Sequence, residues 1–339
     1  MIPIVFAPLM IHIDGERFWK NSKPNSPESC FPIELLIEKE TPEVNRAILK
    51  KIQFKLTEIS GYFEDFIEGF FLKITYNIDP HIVMLDGQTS NQIYSNRDTQ
   101  KCYICEKKGQ EFFANNSDIF NNRCDLGIKP LHSTLRIFDK LLQISYKQGI
   151  KKCDKSTDKT IKIKIGQENK TKISEKRKII HKEFWDKLCI DVDRPRQGYG
   201  TTTTGKCAKI ALENFKITSE ILNIEQSLIE KLNKLVKLLY SQEPIDLKVF
   251  SALTKQIKND WIKFLPGESI TPSIHIVLDH GSIIIEKLHL MPGIFTEEGL
   301  ESTHKIIRDI KLNLSRNCSR QDKLFDIMKR LFFTAYIGI

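Results

Sequence analysis

Two pairs of soft metal-type donors stand out in the chain: Cys102-x-x-Cys105, and His275 with His280. A short turn lets both thiolates of a Cys-x-x-Cys face one ion, so the first pair is a zinc half-site that needs two more ligands. The two histidines are five residues apart, about 140° around an ideal helix, so a straight helix would not offer both to one ion. A bend or helix end near Gly281 would be required; otherwise each is an ordinary surface or core histidine. Each pair has a carboxylate nearby. Asp86 precedes the cysteines, and Glu301 follows His280 by twenty-one residues. Paired carboxylates can hold two Mg²⁺ ions that align the attacking and leaving oxygens of a phosphoryl transfer. No local pattern joins these two, however. Taken singly, Asp86-Gly87 reads as a turn and Glu301 as an exposed helix residue paired with Lys305.

A third pattern, Gly200-Thr-Thr-Thr-Thr-Gly205-Lys206-Cys207, nearly spells a phosphate-binding loop. Such a loop needs a buried strand before it and a Ser or Thr hydroxyl for magnesium. DRPRQGY is no strand, and position 207 is Cys. A Gly/Thr loop capping the next helix is the better reading.

The chain of 339 residues carries a formal charge of +9. Residues 147–187 hold fourteen Lys or Arg against six Asp or Glu, a net of +8. Such a block suits a polyanion, most often nucleic acid, or else forms a solvated basic loop. The eight cysteines are scattered, with only two closely paired, which is no secreted disulfide framework. The apolar start MIPIVFAPLMIHI lacks a basic leader and a small-residue cleavage site, and no run is long enough to span a membrane. An intracellular protein is the expectation, and a DNA partner would place it in the nucleus.

The elements that must position these residues begin with a strand over 2–13, a turn at Asp14-Gly15 and a Pro/Ser loop over 20–31. A second strand covers 32–38, and a helix opens at Thr41-Pro42-Glu43 and runs to about Phe63. One or two strands follow over 70–85, ending in HIVML before Asp86. An amphipathic helix carries Leu131, Leu135, Phe138 and Leu142, with His132 at its entry. The segment 174–189 is helical, and from 205 onward helices are expected at 205–215, 225–241, 245–264, 273–287, 296–315 and 320–335. The architecture is a small mixed sheet in front and a large helical part behind.

The joint order of seven segments resembles the Transib-type DDE transposases and their relative, the larger subunit of the V(D)J recombinase. They are KPNSPESCFPI (23–33), MLDG (84–87), CYIC (102–105), LHSTLRIFDKLLQISYKQGIKK (131–152), GTTTTG (200–205), TPSIHIVLDHG (271–281) and EEGLESTHK (297–305). The resemblance runs from about Phe6 to about Phe333. It implies an α+β fold: an incomplete ribonuclease-H-like mixed sheet with a large zinc-stabilised α-helical insertion. The corresponding division is 1–95 for the sheet, 96–290 for the insertion and 291–339 for the C-terminal helices. By the same resemblance Asp86 and Glu301 match the second and third catalytic carboxylates, ligands of Mg²⁺ or Mn²⁺. Cys102, Cys105, His275 and His280 match the zinc ligands, and His132 resembles a histidine that supports the scissile phosphate. The implied partner is double-stranded DNA bearing transposon or recombination-signal-like ends. The implied assembly is a homodimer, with room for a second recombinase subunit and no membrane.

Two departures bear on this expectation. The family's first carboxylate lies on a strand ahead of the one that opens this sequence, so the chain as given is expected to bind DNA without cutting it. The aromatic often found before the PSxH motif is replaced by LPGES (265–269), with Trp261 and Phe264 close by. Within the basic block Lys176, Arg177 and Lys178 are the expected phosphate contacts. Their neighbours suit positioning on DNA more than base readout.

Overall fold

The structure is a computed structural model. It describes residues 2–6, 10–13, 16–20, 22–23, 25–36, 41–59, 61–67, 70–76, 87–94, 98, 100–114, 121–150, 159–196, 200–289, 291–294, 296–316 and 319–337. The described chain is predominantly helical. It divides into two compact units, one of residues 1–106, 118–129 and 283–339 and the other of residues 107–117 and 130–282.

The first unit holds the longer strands, rich in Ile, Val, Phe and Tyr as pleated, half-covered surfaces favour. Ile2–Phe6 pairs antiparallel with Phe31–Leu36, with a register shift between Ile4 and Val5. Met10–Ile13 pairs with Glu16–Lys20, and Gly61–Ile67 with Phe70–Tyr76. Among the described residues these pairs stay two-stranded, so the expected mixed sheet is not joined there. Two of the pairs link strands adjacent in sequence. Hairpin closure of that kind needs only a tight turn, whereas a mixed sheet needs long crossovers. The HIVML segment lies outside the described residues.

The first long helix spans Pro42–Ile59, with Thr41 as its cap: the Val44 amide donates to the Thr41 hydroxyl at 3.3 Å. Pro42 gives up no helical hydrogen bond in the first turn, where amides are unsatisfied anyway. The helix stops before Gly61, short of the expected Phe63, because Gly61–Ile67 is taken up as a strand.

Two further helices complete the unit, Glu298–Asp309, continued by a π turn over Ile310–Leu314, and Arg320–Ile337. Ile307, Ile310, Ile327 and Leu331 bury their side chains together between them. The KPNSPES segment is fastened to the entry of the first of these helices by one side chain. Asn25 donates through Nδ2 to the Gly293 carbonyl at 2.8 Å and accepts the Thr296 amide on Oδ1 at 3.0 Å. Gly299 fits beneath it because a Cβ there would sit 3.1 Å from the Asn25 backbone and from Cys30 Sγ.

In the second unit Pro130–Lys147 packs against Gly205–Glu213, and Gln226–Leu239 packs against Gly205–Glu213, Phe215–Leu222 and Leu247–Phe264. Phe138, Leu141, Phe184, Leu212, Leu232 and Phe250 are fully buried there. The Gly/Thr loop does cap a helix: the Cys207 amide donates to Thr204 Oγ1 at 3.2 Å, opening Gly205–Glu213. Pro195–Arg196 and Gly200–Thr201 pair as a short antiparallel turn ahead of it.

The basic block differs from its expectation. From Lys159 onward its described part is one helix, Lys159–Leu188, which begins fifteen residues before position 174. Its Lys, Glu and Gln residues are good helix formers, but the pattern is amphipathic only near the end, where Ile180, His181 and Phe184 are buried. Among the described residues no helix is long and apolar enough to cross a membrane.

The Asn25 fastening yields a measurable outcome. Asn25→Ala leaves the Gly293 carbonyl and the Thr296 amide without these bonds, and should cost about 2–3 kcal/mol. Denaturant unfolding should show a lower midpoint at unchanged slope. A midpoint equal to that of the parent would mean that water replaces both bonds without cost.

Candidate metal centre

The Cys-x-x-Cys pair sits on a tight turn closed by the Glu106 amide, which donates to the Cys102 carbonyl at 2.8 Å. Glu106 itself takes a left-handed conformation, φ +61°, uncommon for a residue with a Cβ. Arg123 holds the turn in this shape. Its guanidinium donates to the Tyr103 carbonyl at 2.9 Å and to the Glu106 carboxylate at 2.8 Å. The turn is therefore clamped by Arg123, and both cysteines are buried.

The histidine pair lies in a helical run that begins at Pro272, capped by Thr271, and continues to Leu288. The run does not end or break at Gly281, whose φ and ψ are −58° and −45°. Instead it widens to a π turn over Ile276–His280. A π turn bonds i to i+5, so it brings residues five apart onto one side of the helix. His275 and His280 thereby face each other edge to face, ring centroids 4.9 Å apart. Single π turns of this kind occur often at functional sites.

Cys102, Cys105, His275 and His280 together place one ligand atom each within 4.8 Å of all the others. All four side chains are buried. The set is two sulfurs and two nitrogens, a donor shell compatible with zinc.

Two features of the surroundings fit a cation here. Both ring nitrogens of His280 are buried without a hydrogen-bond partner among the described residues, although a neutral imidazole carries one donor and one acceptor. Cys102 has its thiol pushed well above the ordinary range, through its hydrogen bond with Cys105 and then through burial. Two adjacent thiolates in a dry site repel each other; a divalent ion reverses that balance by binding the deprotonated sulfurs.

Three neighbours that sequence reasoning passed over hold His275. Asp279 Oδ2 lies 2.6 Å from His275 Nδ1, which leaves Nε2 as the nitrogen available to an ion. Lys258 Nζ donates to the other Asp279 oxygen at 2.8 Å. Burial raises the Asp279 carboxyl, but the bonds from His275 and Lys258 outweigh it and hold the group below its usual range. Phe112 stacks on the His275 ring at 4.3 Å between centroids. The spacing His275-x-x-x-Asp279 was the readable signal, since i and i+4 share a helix face. Lys258 and Phe112 carried none, because each comes from a distant part of the sequence.

The other expected site residues are placed as follows. Asp86 lies outside the described residues. Glu301 is exposed in the first turn of Glu298–Asp309, with His304 Nδ1 4.0 Å from its carboxylate, rather than the expected Lys305. His132 is half-buried in the first turn of Pro130–Lys147, as expected for a helix entry.

The three basic residues do not act as a set. Lys176 donates to the Gln148 carbonyl at 3.1 Å. Arg177 pairs with Asp193 at 3.2 Å and lies over the Tyr146 ring. Lys178 alone projects into solvent. Trp261 is fully buried, its indole N–H donating to the Glu268 carbonyl at 3.0 Å.

No known protein-family model matches the chain, and no curated protein matches it at a significant level.

The Asp279 arrangement makes a direct prediction. Asp279→Asn should weaken metal binding about 10–100-fold, the usual cost of losing such a supporting carboxylate. A competition titration against a chromophoric chelator reads this. Affinity equal to that of the parent would show that Asp279 does not orient His275.

Proposed function

We propose that the chain is a zinc-stabilised DNA-binding core of the Transib and V(D)J recombinase type, acting in the nucleus. One observation carries the reading. The residues that the resemblance picks out as zinc ligands come from segments about 170 positions apart, and their donor atoms gather within 4.8 Å. A chance alignment of short motifs has no reason to select four residues that meet in three dimensions.

The ion supplies folding energy here and no reaction step. Its four positions are all protein ligands, the closed shell of a structural site. Around it Asp279 fixes the tautomer of His275, and Arg123 fixes the turn that presents Cys102 and Cys105. The zinc would tie the front of the helical insertion to its return.

DNA is the partner that the charge favours. The excess of cations is concentrated in 147–187, most of which is the helix Lys159–Leu188. Neutralised phosphates release counterions, so affinity should fall with salt whatever the sequence of the duplex. For strand cleavage the reading draws on Asp86 and Glu301 as carboxylates for Mg²⁺ or Mn²⁺, with His132 toward the scissile phosphate. The exposure of Glu301 at the start of a helix leaves its carboxylate accessible to a nucleic acid. By the same resemblance the assembly would be a homodimer, with recombination-signal-like ends as its DNA.

Binding of a labelled duplex should weaken linearly on a logarithmic salt scale, with a slope near −3 or steeper for about three or more phosphates. Lys178→Gln should flatten it by roughly one phosphate, about 0.9, without loss of stability. Arg177→Gln should instead lower stability, because it removes the partner of Asp193. Binding that ignores salt, on any duplex, would refute a nucleic-acid role. Mg²⁺-dependent nicking that Glu301→Gln abolishes would add catalysis to the role; a bound but uncut duplex would leave it a binding protein.

A further inference from the structure

We infer that the outer face of the helix Lys159–Leu188 is a stacking site for an unpaired nucleotide, built from Lys178, Lys182 and Trp185. The inference rests on the nucleic-acid reading above and names the part of the partner that this face takes. Ile180, His181 and Phe184 turn another side of the helix, centred about 120° around the axis, into the protein. Lys178, Lys182 and Trp185 follow at i, i+4 and i+7, so they line up within about 60° of one another. All three are exposed, and Trp185 shows 55% of its surface.

An indole so exposed is unusual, because tryptophan is highly buried on average. No aromatic ring or cation lies over it among the described residues, and neither Lys178 nor Lys182 has a carboxylate partner there. The charges around the face are few. Glu183 is held by Lys187 at 3.2 Å, which leaves Glu175 and Asp186 as the exposed acids of this stretch. Ile179, 58% exposed, adds an apolar edge beside Lys178.

The chemistry suits an unpaired strand better than a duplex. Within a duplex both faces of each base are already stacked. An unpaired base offers a free π-face, and stacking on an aromatic side chain is sequence-tolerant because every base has one. The stripe is about 10 Å long at 1.5 Å per residue, the length of about three nucleotides at 3.4 Å each. Two ammonium groups one turn apart can then hold the phosphates that flank the stacked base. A membrane surface is a poorer match, since an interfacial helix needs a broad apolar face and here that face is inside the protein.

The test uses the full chain and three probes: a 16-nucleotide oligothymidylate, a blunt duplex of equal length, and vesicles of phosphatidylserine and phosphatidylcholine. Trp185→Ala should weaken oligothymidylate binding by about 10-fold, within the 5- to 150-fold that one stacked base is worth. Trp185→Phe should recover most of that loss. Both variants should bind the duplex within twofold of the parent. Lys178→Gln with Lys182→Gln should reduce the salt slope on the single strand by about 1.4, two contacts at 0.7 each. The share of tryptophan fluorescence quenched by the oligonucleotide should fall in Trp185→Phe, because Trp185 is the tryptophan on this face and Trp261 is buried. Equal affinity of Trp185→Ala and the parent for the single strand, with duplex binding intact, would overturn this inference alone. For Trp185→Ala, losses of the same size on both nucleic acids would overturn it too, as would binding of the parent to the vesicles in place of the oligonucleotide. A chain that binds neither nucleic acid would overturn the broader reading with it.

Discussion

The structure depends on a constraint of dry chemistry. Two thiols and two imidazoles are buried side by side, and among the described residues His280 has no hydrogen-bond partner for either ring nitrogen. Burying unsatisfied polar groups costs about 1–3 kcal/mol each. Burying two thiolates without a cation costs far more, and the lifted Cys102 thiol records that penalty. A single divalent ion removes both costs at once, because deprotonated sulfur and neutral nitrogen are what it binds. Around the donors, Asp279, Lys258, Phe112 and Arg123 form a shell that makes sense as support for a fixed ligand geometry. Nothing about a plain apolar core would call for a salt-bridged carboxylate on one histidine and a clamped left-handed glutamate beside a cysteine.

That arrangement also explains which parts of the chain could be read in advance. Helices that bury a stripe of leucines and isoleucines announced themselves. Gln226–Leu239 and Leu247–Phe264 lie within a few residues of their expected bounds, and Pro130–Lys147 carries the expected stripe with His132 in its first turn. Cys102 and Cys105 were legible because their spacing is itself the geometry of a half-site. His275 and His280 were harder, since an ideal helix sets them apart, and the solution lies in one extra residue per turn over Ile276–His280. Backbone winding of that kind depends on what the helix packs against, and side-chain periodicity does not encode it. Pairing partners of strands were similarly hidden. Glu16–Lys20 alternates weakly, and it becomes a strand through its antiparallel neighbour Met10–Ile13.

Charge was legible as a total but misleading in detail. The block at 147–187 looked uniform, and three consecutive cations at 176–178 looked like its centre. Winding the block into a helix separates them by 100° steps. Lys176 and Arg177 then turn toward Gln148, Tyr146 and Asp193, where they tie the helix to its own unit. Solvent keeps Lys178, and the same winding brings Lys182 and Trp185 into line with it. A cluster in sequence and a cluster on a surface are different objects, and only the second can meet a phosphate.

We propose that the chain carries one zinc ion, bound through the two sulfurs of Cys102 and Cys105 and one nitrogen each of His275 and His280. The most direct measurement is metal stoichiometry on the purified chain together with X-ray absorption at the zinc edge. The account predicts one zinc per chain, with two sulfur neighbours at about 2.3 Å and two nitrogen neighbours at about 2.0–2.1 Å. A chain that folds fully with no bound metal, or a zinc surrounded by oxygen alone, would contradict it.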